Sequence, residues 1–266
     1  MPKAKKSDSK PQKASTAAPS APPAPNWPPL RPLLPAEDLA LEALVPDQIY
    51  LIRNFLPSSL CKSYASFLAS LPLTTTPGKP KKDEAVRVND RFQVQDARFA
   101  ETLWSGTAMK ELATTRFGEN DEDAYTSDGE PLSSKEREFK AQKVWGGEPL
   151  GLNPNIRIYR YSAGQFFAQH YDESNALTFL PQSATKAVPA RTTWTLLIYL
   201  TSCSGGETIF YPDPTRENRN PEPISVAPEA GMALLHRHGD HCMLHEGAEV
   251  TGGEKWVLRS DLVVGR

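Results

Sequence analysis

The sequence predicts a mainly β fold with packed helices, in the α+β class. From residue 154 onward, short apolar or alternating segments rich in β-branched and aromatic residues follow one another, separated by turn residues. Segments with apolar residues at helical spacing lie in the first half. The 266 residues suffice for one substantial core. Together these observations favour a sandwich or barrel of short strands with the N-terminal helices packed outside it.

The first segment, residues 1–38, is predicted to be a disordered tail, basic at first and then rich in proline and alanine. Residues 1–13 hold five lysines and one aspartate, a net charge of +4, so the other 253 residues carry −6 of the total of −2. The run KAKK is compatible with a targeting or nucleic-acid patch, but we interpret it as a solvated tail. The acidic remainder makes nucleic acid an unfavoured partner.

The second segment, residues 39–153, is predicted to be a helical support region. It contains a short strand at 48–53 and two amphipathic helices, at 60–71 and 98–117. An acidic loop is expected at 118–135, because residues 119–130 hold six carboxylates and no basic residue. The ligand spacing of a calcium loop is absent there, so we predict a mobile surface loop.

The third segment, residues 154–266, is predicted to be the β core. Thr192–Leu200 is largely apolar and is typical of a central strand. The predicted strands lie at 155–161, 192–200, 207–211, 223–226, 232–236 and 255–264.

The cysteine count and the absence of long apolar runs predict the compartment. Cys61, Cys203 and Cys242 are too few and too scattered for a disulfide framework, which favours reduced thiols. No apolar run precedes a cleavage site at the N-terminus, and none is long enough to span a membrane. We therefore expect an intracellular protein, cytoplasmic or nuclear, with no membrane partner and not secreted.

Two histidines and one carboxylate suggest a metal site. His170 and Asp172 stand two residues apart, so on a strand they project from the same face. With His245 they form the ligand set of non-haem Fe(II) oxygenases, which leaves three coordination positions open. The alternative is an ordinary hydrogen-bonded pair at a strand end. If His245 is not the distant ligand, His241 is the next candidate.

A lysine near the third predicted ligand, His245, suggests which molecule fills two of the open coordination positions of the metal. Lys255 lies ten residues beyond His245, where it would neutralise the far end of a dicarboxylate. Arg259 is a rival anchor, since it shares the strand face of Lys255 and arginine can hold a carboxylate with two hydrogen bonds. Alternatively, Arg259 touches the substrate or pairs with a carboxylate inside the barrel.

Five motifs in order carry a family resemblance over roughly 154–264. They are Tyr161-x-x-Gly164, His170-x-Asp172, Thr195-Leu-Leu-Ile-Tyr199-Leu200, Gly205-Gly206-x-Thr208-x-Phe210 and His245-x-Gly247-x-x-Val250-x-x-Gly253-x-Lys255-Trp256. On these motifs the second half resembles the prolyl 4-hydroxylase-type branch of the 2-oxoglutarate/Fe(II)-dependent dioxygenases.

The resemblance implies a fold, cofactors and residue roles. The core would be a double-stranded β-helix, or jelly roll. The cofactors would be Fe(II), 2-oxoglutarate as co-substrate, O2, and ascorbate as reductant. His170, Asp172 and His245 would be the catalytic metal ligands. Lys255 would hold the distal carboxylate of 2-oxoglutarate, while Tyr161 and Thr195 add hydrogen bonds to it.

Substrate and oligomeric state stay open at the sequence level. We favour hydroxylation of a protein side chain, prolyl among the candidates, with decarboxylation of 2-oxoglutarate to succinate and CO2. The alternatives are the same chemistry on a small molecule or nucleobase, and a non-catalytic metal-binding jelly roll. Substrate choice would reside in loops at the barrel mouth, at 74–90, 118–150 and 173–191.

A cluster of extra histidines exceeds what the resemblance requires. His236, His238 and His241 stand near Cys242, and such residues can form a zinc site. Their spacing fits no standard structural zinc pattern, so the sequence assigns them no role.

Overall fold

In this computed structural model, the described residues are 23–76, 84–119, 121, 124–182 and 184–266. The KAKK run, most of the predicted loop 74–84 and part of the acidic loop lie outside them. The helices in the described ranges are α1 (Ser58–Ala69), α2 (Ala97–Ser105), α3 (Met109–Ala113) and α4 (Ser134–Trp145). The strands there are β1 (Glu42–Val45), β2 (Ile49–Ile52), β3 (Thr74–Thr75), β4 (Arg87–Val88), β5 (Asp90–Gln95), β6 (Pro149–Leu152), β7 (Asn155–Ser162), β8 (Phe166–His170), β9 (Ala176–Phe179), β10 (Val188–Tyr199), β11 (Ser204–Gly205), β12 (Thr208–Tyr211), β13 (Ile224–Val226), β14 (Ala233–Arg237), β15 (Leu244–Gly247), β16 (Val250–Gly252) and β17 (Glu254–Gly265).

Two antiparallel sheets form the core. The major sheet has the order β1-β2-β14-β10-β17-β7-β5-β3, with β6 beside β17 and β9 beside β10. The minor sheet has the order β13-β12-β15-β8-β4, and β11 pairs with β16. Apolar residues of both sheets, such as Tyr199 and Phe210, pack in one buried cluster between them. The predicted mainly β fold with a jelly-roll core and outer helices is therefore confirmed.

The alternation of side chains along β10 separates two cores. Trp194, Leu196 and Ile198 belong to the large core that includes the helices. Leu197 and Tyr199 face the other way, into the space between the sheets. This follows from the period of two along a strand. It places one face of β10 at the site and the other against the helices.

The predicted helix at 98–117 is two helices. α2 ends at Ser105, before Gly106, a residue with low helix propensity, and α3 begins after Ala108. The hydroxyl of Thr107 accepts from the backbone N–H of Met109 at 3.2 Å and supports the restart of the helix. The apolar spacing was correct, but this break was missed.

Helix α4 was expected to be part of a loop at the barrel mouth, and that expectation was wrong. Ser133 and Glu136 form a capping box at its start, and Gly146 ends it in a left-handed conformation. Its last residue, Trp145, packs edge to face against Trp194 at 4.8 Å between ring centroids. Since Trp194 points to the helical side of the major sheet, α4 lies on the face opposite the site.

The prediction of disorder through residue 38 is wrong for residues 23–38. The ring of Trp27 stacks on Phe99 with centroids 4.0 Å apart, and its Nε1–H donates to Asp96 at 2.8 Å. The carbonyl of Pro28 accepts from the hydroxyl of Tyr64 at 2.6 Å. One half-buried aromatic ring thus anchors a proline-rich segment that composition alone assigns to the tail.

In the part of the chain that the structure describes, no helix is long and apolar enough to cross a membrane.

Candidate metal centre and dicarboxylate pocket

The predicted metal ligands meet between the two sheets. His170 is the last residue of β8, and His245 of β15 lies directly opposite it in the antiparallel register. Asp172 lies two residues beyond the end of β8, not on the strand as predicted. The backbone N–H of Asp172 donates to the sulfur of Cys242 at 3.3 Å.

The three side chains offer a compact set of donor atoms. The Nε2 of His170 lies 3.8 Å from Oδ1 of Asp172, and the Nε2 of His245 lies 3.8 Å from Oδ2. All three ligand atoms lie within 4.8 Å of one another. Two imidazoles and one carboxylate are the donor set for Fe(II) with open positions, so the residues present fit the predicted metal.

Backbone carbonyls fix the tautomer of both histidines. The Nδ1 of His170 lies 2.9 Å from the oxygen of Ala168, and that of His245 lies 3.0 Å from the oxygen of Met243. A carbonyl only accepts, so Nδ1 carries the proton and donates it. The lone pair of each Nε2 is therefore left for a metal, as is usual for metal-binding histidines.

Asp172 is held by two donors on its second oxygen. Arg259 approaches Oδ2 to 2.9 Å, and the hydroxyl of Thr195 donates to the same atom at 2.9 Å. Arg259 also lies 3.5 Å from Asp261, whose other oxygen pairs with Arg157 at 2.8 Å. This network orients the carboxylate and leaves Oδ1 without these contacts.

Burial and neighbouring charges favour the metal-binding protonation states. Burial, and then the nearby His245, lowers the pKa of His170 to about 4. Burial also lowers the pKa of His245. Burial alone would raise the pKa of Asp172, but Arg259 and the surrounding histidines hold it well below its usual range. At neutral pH the histidines are neutral and the carboxylate is ionised.

Lys255 lies at the other end of the same cavity. The cavity is lined by all three predicted metal ligands and by Lys255. The ammonium donates to the carbonyl of Gly206 at 2.6 Å and lies 5.4 Å from the ring centroid of Tyr199. Among the described residues, no carboxylate oxygen lies within 4 Å of it. Burial lowers its pKa to about 8.

The four residues predicted to bind 2-oxoglutarate differ in the groups that they contact in the structure. Tyr161 lines the cavity beside Lys255, with 5.6 Å between the ammonium and the ring centroid. Thr195 contacts Asp172, and Arg259 contacts Asp172 while also lining the cavity. Arg259 thus makes the carboxylate contacts of the alternative interpretation, and a contact of Arg259 or Thr195 with 2-oxoglutarate stays a prediction.

The hydroxyl of Thr208 lies 2.7 Å from that of Tyr199, and Thr208 lines the cavity. Alternation along β10 could have indicated Tyr199, since it shares a face with Thr195.

The extra histidines take three different positions. His236 lies beside the ligands, with its Nε2 3.6 Å from Oδ2 of Asp172. His238 is buried between the hydroxyls of Thr192 and Thr195, at 3.0 Å from each. His241 is exposed. The structure thus brings only one of them to the predicted metal site.

An open cleft leads from the metal ligands to the surface. It is lined by His170 and Asp172, by arginines of β4, β5 and β7, and by residues 84, 85, 173 and 175. Two of the predicted substrate loops, 74–90 and 173–191, thus contribute to it. Segment 118–150 contributes no described residue, in agreement with the position of α4.

Comparison with known proteins finds related sequences. Residues 156–260 match the model of the 2OG-Fe(II) oxygenase superfamily. A curated relative, probable prolyl 4-hydroxylase 9 of Arabidopsis thaliana, is 30% identical over 162 residues, which are 52% of this chain and 53% of that protein. The chain thus spans about half the length of this relative. The matches confirm the resemblance to the prolyl 4-hydroxylase-like branch.

Solved structures of similar proteins include two prolyl hydroxylases. One is a prolyl-4-hydroxylase of Pseudomonas putida, with a TM-score of 0.48, 15% identity, and coverage of 82% of this chain and 93% of that one. The other is a prolyl hydroxylase from Trichoplax adhaerens in complex with a hypoxia inducible factor peptide fragment. It has a TM-score of 0.48, 15% identity, and coverage of 83% and 85%.

Proposed function

With the 2OG-Fe(II) oxygenase match of residues 156–260 as the premise, we propose that the chain is a 2-oxoglutarate- and Fe(II)-dependent dioxygenase. It hydroxylates a substrate C–H bond and converts 2-oxoglutarate and O2 to succinate and CO2. The substrate we favour is a protein side chain, with proline first, and ascorbate serves as reductant. His170, Asp172 and His245 hold the metal, and Lys255 binds the distal carboxylate of 2-oxoglutarate.

The observation that carries the proposal is a buried cation in the cavity of the metal ligands. Lys255 is 5% exposed and faces aromatic rings and one carbonyl, while the carboxylate of Glu207 is near enough to raise its pKa but forms no ion pair with it within 4 Å. Burying an ammonium group without a counter-charge costs several kcal/mol. A dicarboxylate that reaches from the metal ligands to Lys255 supplies that counter-charge. In a non-catalytic module that binds no dicarboxylate, nothing would offset the free energy that the burial of this cation costs.

The residues of the site divide the work between binding and orientation. Fe(II) bound by the triad supplies the activation of dioxygen and of the keto acid. The carbonyls of Ala168 and Met243 keep both Nε2 atoms unprotonated. Arg259 and Thr195 hold Asp172 in one orientation. Phe167, Leu197 and Val257 contribute apolar groups to the cavity wall, and such groups strengthen the pairing of Lys255 with a carboxylate by lowering the local dielectric constant.

The substrate assignment rests on the relative and on the open cleft. The plant relative is named a prolyl 4-hydroxylase, which favours a prolyl side chain. The cleft has a volume of about 1110 Å³ and runs along β4 and β5. Space of that size beside His170 accommodates an extended peptide segment.

Succinate formation tests the proposed activity. We expect the wild-type protein with Fe(II), ascorbate and 2-oxoglutarate to form succinate slowly without substrate, and faster with its substrate. His170→Ala removes a metal ligand and should abolish this, while His241→Ala, at an exposed histidine, should not. A candidate proline peptide would then gain 16 Da, the mass of one oxygen atom. Equal succinate from the wild type and His170→Ala would overturn the proposal.

A further inference from the structure

Two arginines of the open cleft have no charged partner in the part of the chain that the structure describes. Arg157 and Arg259, which also line the cleft, pair with carboxylates at 2.8 and 2.9 Å. Arg87 and Arg91 line the same cleft, but no carboxylate oxygen of the described residues lies within 4 Å of either guanidinium. The cleft therefore contains two cations that the described residues do not neutralise.

Aromatic rings hold Arg87 close to the predicted metal ligands. Its Cζ lies 4.7 Å from the ring centroid of Phe167 and 5.6 Å from that of Tyr159. The ring of Phe167 stacks on the imidazole of His170 with 3.6 Å between centroids. One aromatic ring thus separates a half-buried guanidinium from a metal ligand. Since its N–H groups form no hydrogen bond with the described residues, they are available to an acceptor from outside.

The register of the major sheet adds Arg91 to the same wall of the cleft. Arg91 of β5 lies directly opposite Tyr159 of β7, and directly paired residues of antiparallel strands share a face. The alternation along β5 exposes Arg91 and Gln93, and both line the cleft. Tyr159 thus lies near Arg87 by its ring and near Arg91 by its strand pairing. Two positive charges stand on one wall.

The carboxylates of the cleft leave these two charges uncompensated. Glu84 and Glu173 line the cleft, but neither forms an ion pair within 4 Å with Arg87 or Arg91. The chain beyond residue 13 carries a net charge of −6, so this basic wall differs in sign from the rest of the protein. A guanidinium binds a carboxylate through charge-assisted hydrogen bonds, often two in parallel. The wall is therefore complementary to an acidic group.

We propose that the cleft selects acidic peptides, in which an aspartate or glutamate near the hydroxylated residue binds to Arg87 and Arg91. This inference rests on the proposed function and names its substrate class. An extended peptide advances about 3.3 Å per residue. The distances of 3.6 Å from His170 to Phe167 and 4.7 Å from Phe167 to Arg87 together span no more than about three such steps. The acidic residue thus lies within three residues of the reacting one.

Competition between matched peptides tests the proposal. Short alanine-rich peptides with a central proline carry one aspartate at each position up to three residues away, and their partners carry asparagine there. Each pair is mixed with the full-length protein, Fe(II), ascorbate and 2-oxoglutarate, and the gain of one oxygen atom is followed by mass. At the best position we expect kcat/KM to favour aspartate about 10-fold, as for one hydrogen bond between charged groups.

Variants of the two arginines identify the groups responsible. Arg87→Gln should bring the ratio of aspartate to asparagine peptide close to one, and Arg91→Gln should lower it. Arg87→Glu should favour a lysine peptide over the asparagine peptide, a reversal that damage to the fold does not produce. Arg98→Gln, at an exposed arginine of α2, is the control and should keep the wild-type ratio. Each ratio is measured within one reaction, so a partial loss of activity cancels.

The wild-type protein decides the question even if a variant does not fold. A ratio near one at every position would overturn the inference, and hydroxylation of both peptides would show that the proposed function stands. An aspartate preference that survives in Arg87→Glu would also overturn it. Where no peptide gains oxygen, fluorescence anisotropy of labelled peptides on Mn(II)- and 2-oxoglutarate-loaded protein gives the same ratio as affinities. Absence of any binding would reject the inference, and succinate formation without peptide would then retain the dioxygenase.

Discussion

The two ends of the cavity treat buried charge in opposite ways. At the metal end, Asp172 is surrounded by compensating groups, with Arg259 and Thr195 both at 2.9 Å. At the other end, the ammonium of Lys255 has a carbonyl and two aromatic rings around it, and its pKa is lowered to about 8. The metal end is compensated by direct contacts within the chain, while at the other end Glu207 acts on Lys255 only from beyond 4 Å, and a bound carboxylate would complete the compensation.

This difference indicates that the two ends have different roles: one orients a metal ligand and the other binds the co-substrate. A charge that the chain already neutralises contributes to a fixed geometry, because its partners hold it in place. A buried charge without a partner costs stability in the free protein and recovers it when the ligand arrives. We infer that Asp172 is preorganised for the metal and that Lys255 supplies affinity for the co-substrate.

The largest expected effect on stability is that of Arg259→Met, which removes the cation paired with Asp172 at the metal end of the cavity. The change leaves Asp172 and Asp261 buried with less positive charge near them. We expect the free energy of unfolding of the metal-free protein to fall by about 3–5 kcal/mol, measured by urea denaturation. Mn(II) should restore part of the loss, because the ion supplies charge beside Asp172. An unchanged midpoint in the metal-free protein would contradict the role of Arg259.

At the Lys255 end of the cavity, the expected change in the stability of the free protein is smaller than for Arg259→Met and has the opposite sign. Lys255→Met removes a buried cation of similar length. Affinity for 2-oxoglutarate, measured by calorimetry on Mn(II)-loaded protein, should fall by about 10- to 100-fold, since a hydrogen bond to a charged group contributes about 1.5–3 kcal/mol. Mn(II) affinity should not change, and the ligand-free protein should become more stable. A loss of stability would show that Lys255 is already compensated.

The lowered pKa of Lys255 predicts a pH dependence. The protonated form binds the carboxylate, so affinity for 2-oxoglutarate should weaken as the pH rises through about 8. The groups near the ammonium are Cys203, Glu207, Tyr161 and Tyr199. In the free protein, the unfolded state binds more protons between about pH 8 and 10.5, so stability should rise with pH there. Lys255→Met should lose both trends.

The smallest effect is expected far from the cavity, at helix α4. Ser133→Ala removes the capping box and should lower the free energy of unfolding by about 1 kcal/mol. The affinities for Mn(II) and 2-oxoglutarate should stay as in the wild type, because α4 packs on the opposite face of the major sheet. A change in either affinity would show that this face communicates with the site.

Local patterns predicted the core strands and the residues at both ends of the cavity. The alternation along β10, the spacing of His170 and Asp172, and the spacing of His245 and Lys255 are short-range features, and they can be read from neighbouring residues. Strand β5 was missed although Asp90, Phe92 and Val94 alternate with exposed residues. Because the segment contains several charged and amide residues, its alternation of buried and exposed positions is difficult to recognise in the sequence.

The roles of Thr195 and Arg259 could not be read from the sequence. They depend on contacts between distant segments. In the register of β10 and β17, Thr195 lies opposite Asp261 and Leu197 lies opposite Arg259. This register brings Arg259 to Asp172. Asp172 follows the end of β8, which lies at another edge of the cavity. His236 likewise acquires its position from the pairing of β14 with β10.

Calorimetry of 2-oxoglutarate binding tests the central claim most directly, that one ligand spans both ends of the cavity. We predict one site in the Mn(II)-loaded wild type under anaerobic conditions. Binding should be lost when Mn(II) is omitted or His170 is replaced by alanine, and weakened in Lys255→Met. Binding of equal strength with and without the metal, or with and without the Lys255 ammonium, would contradict this account.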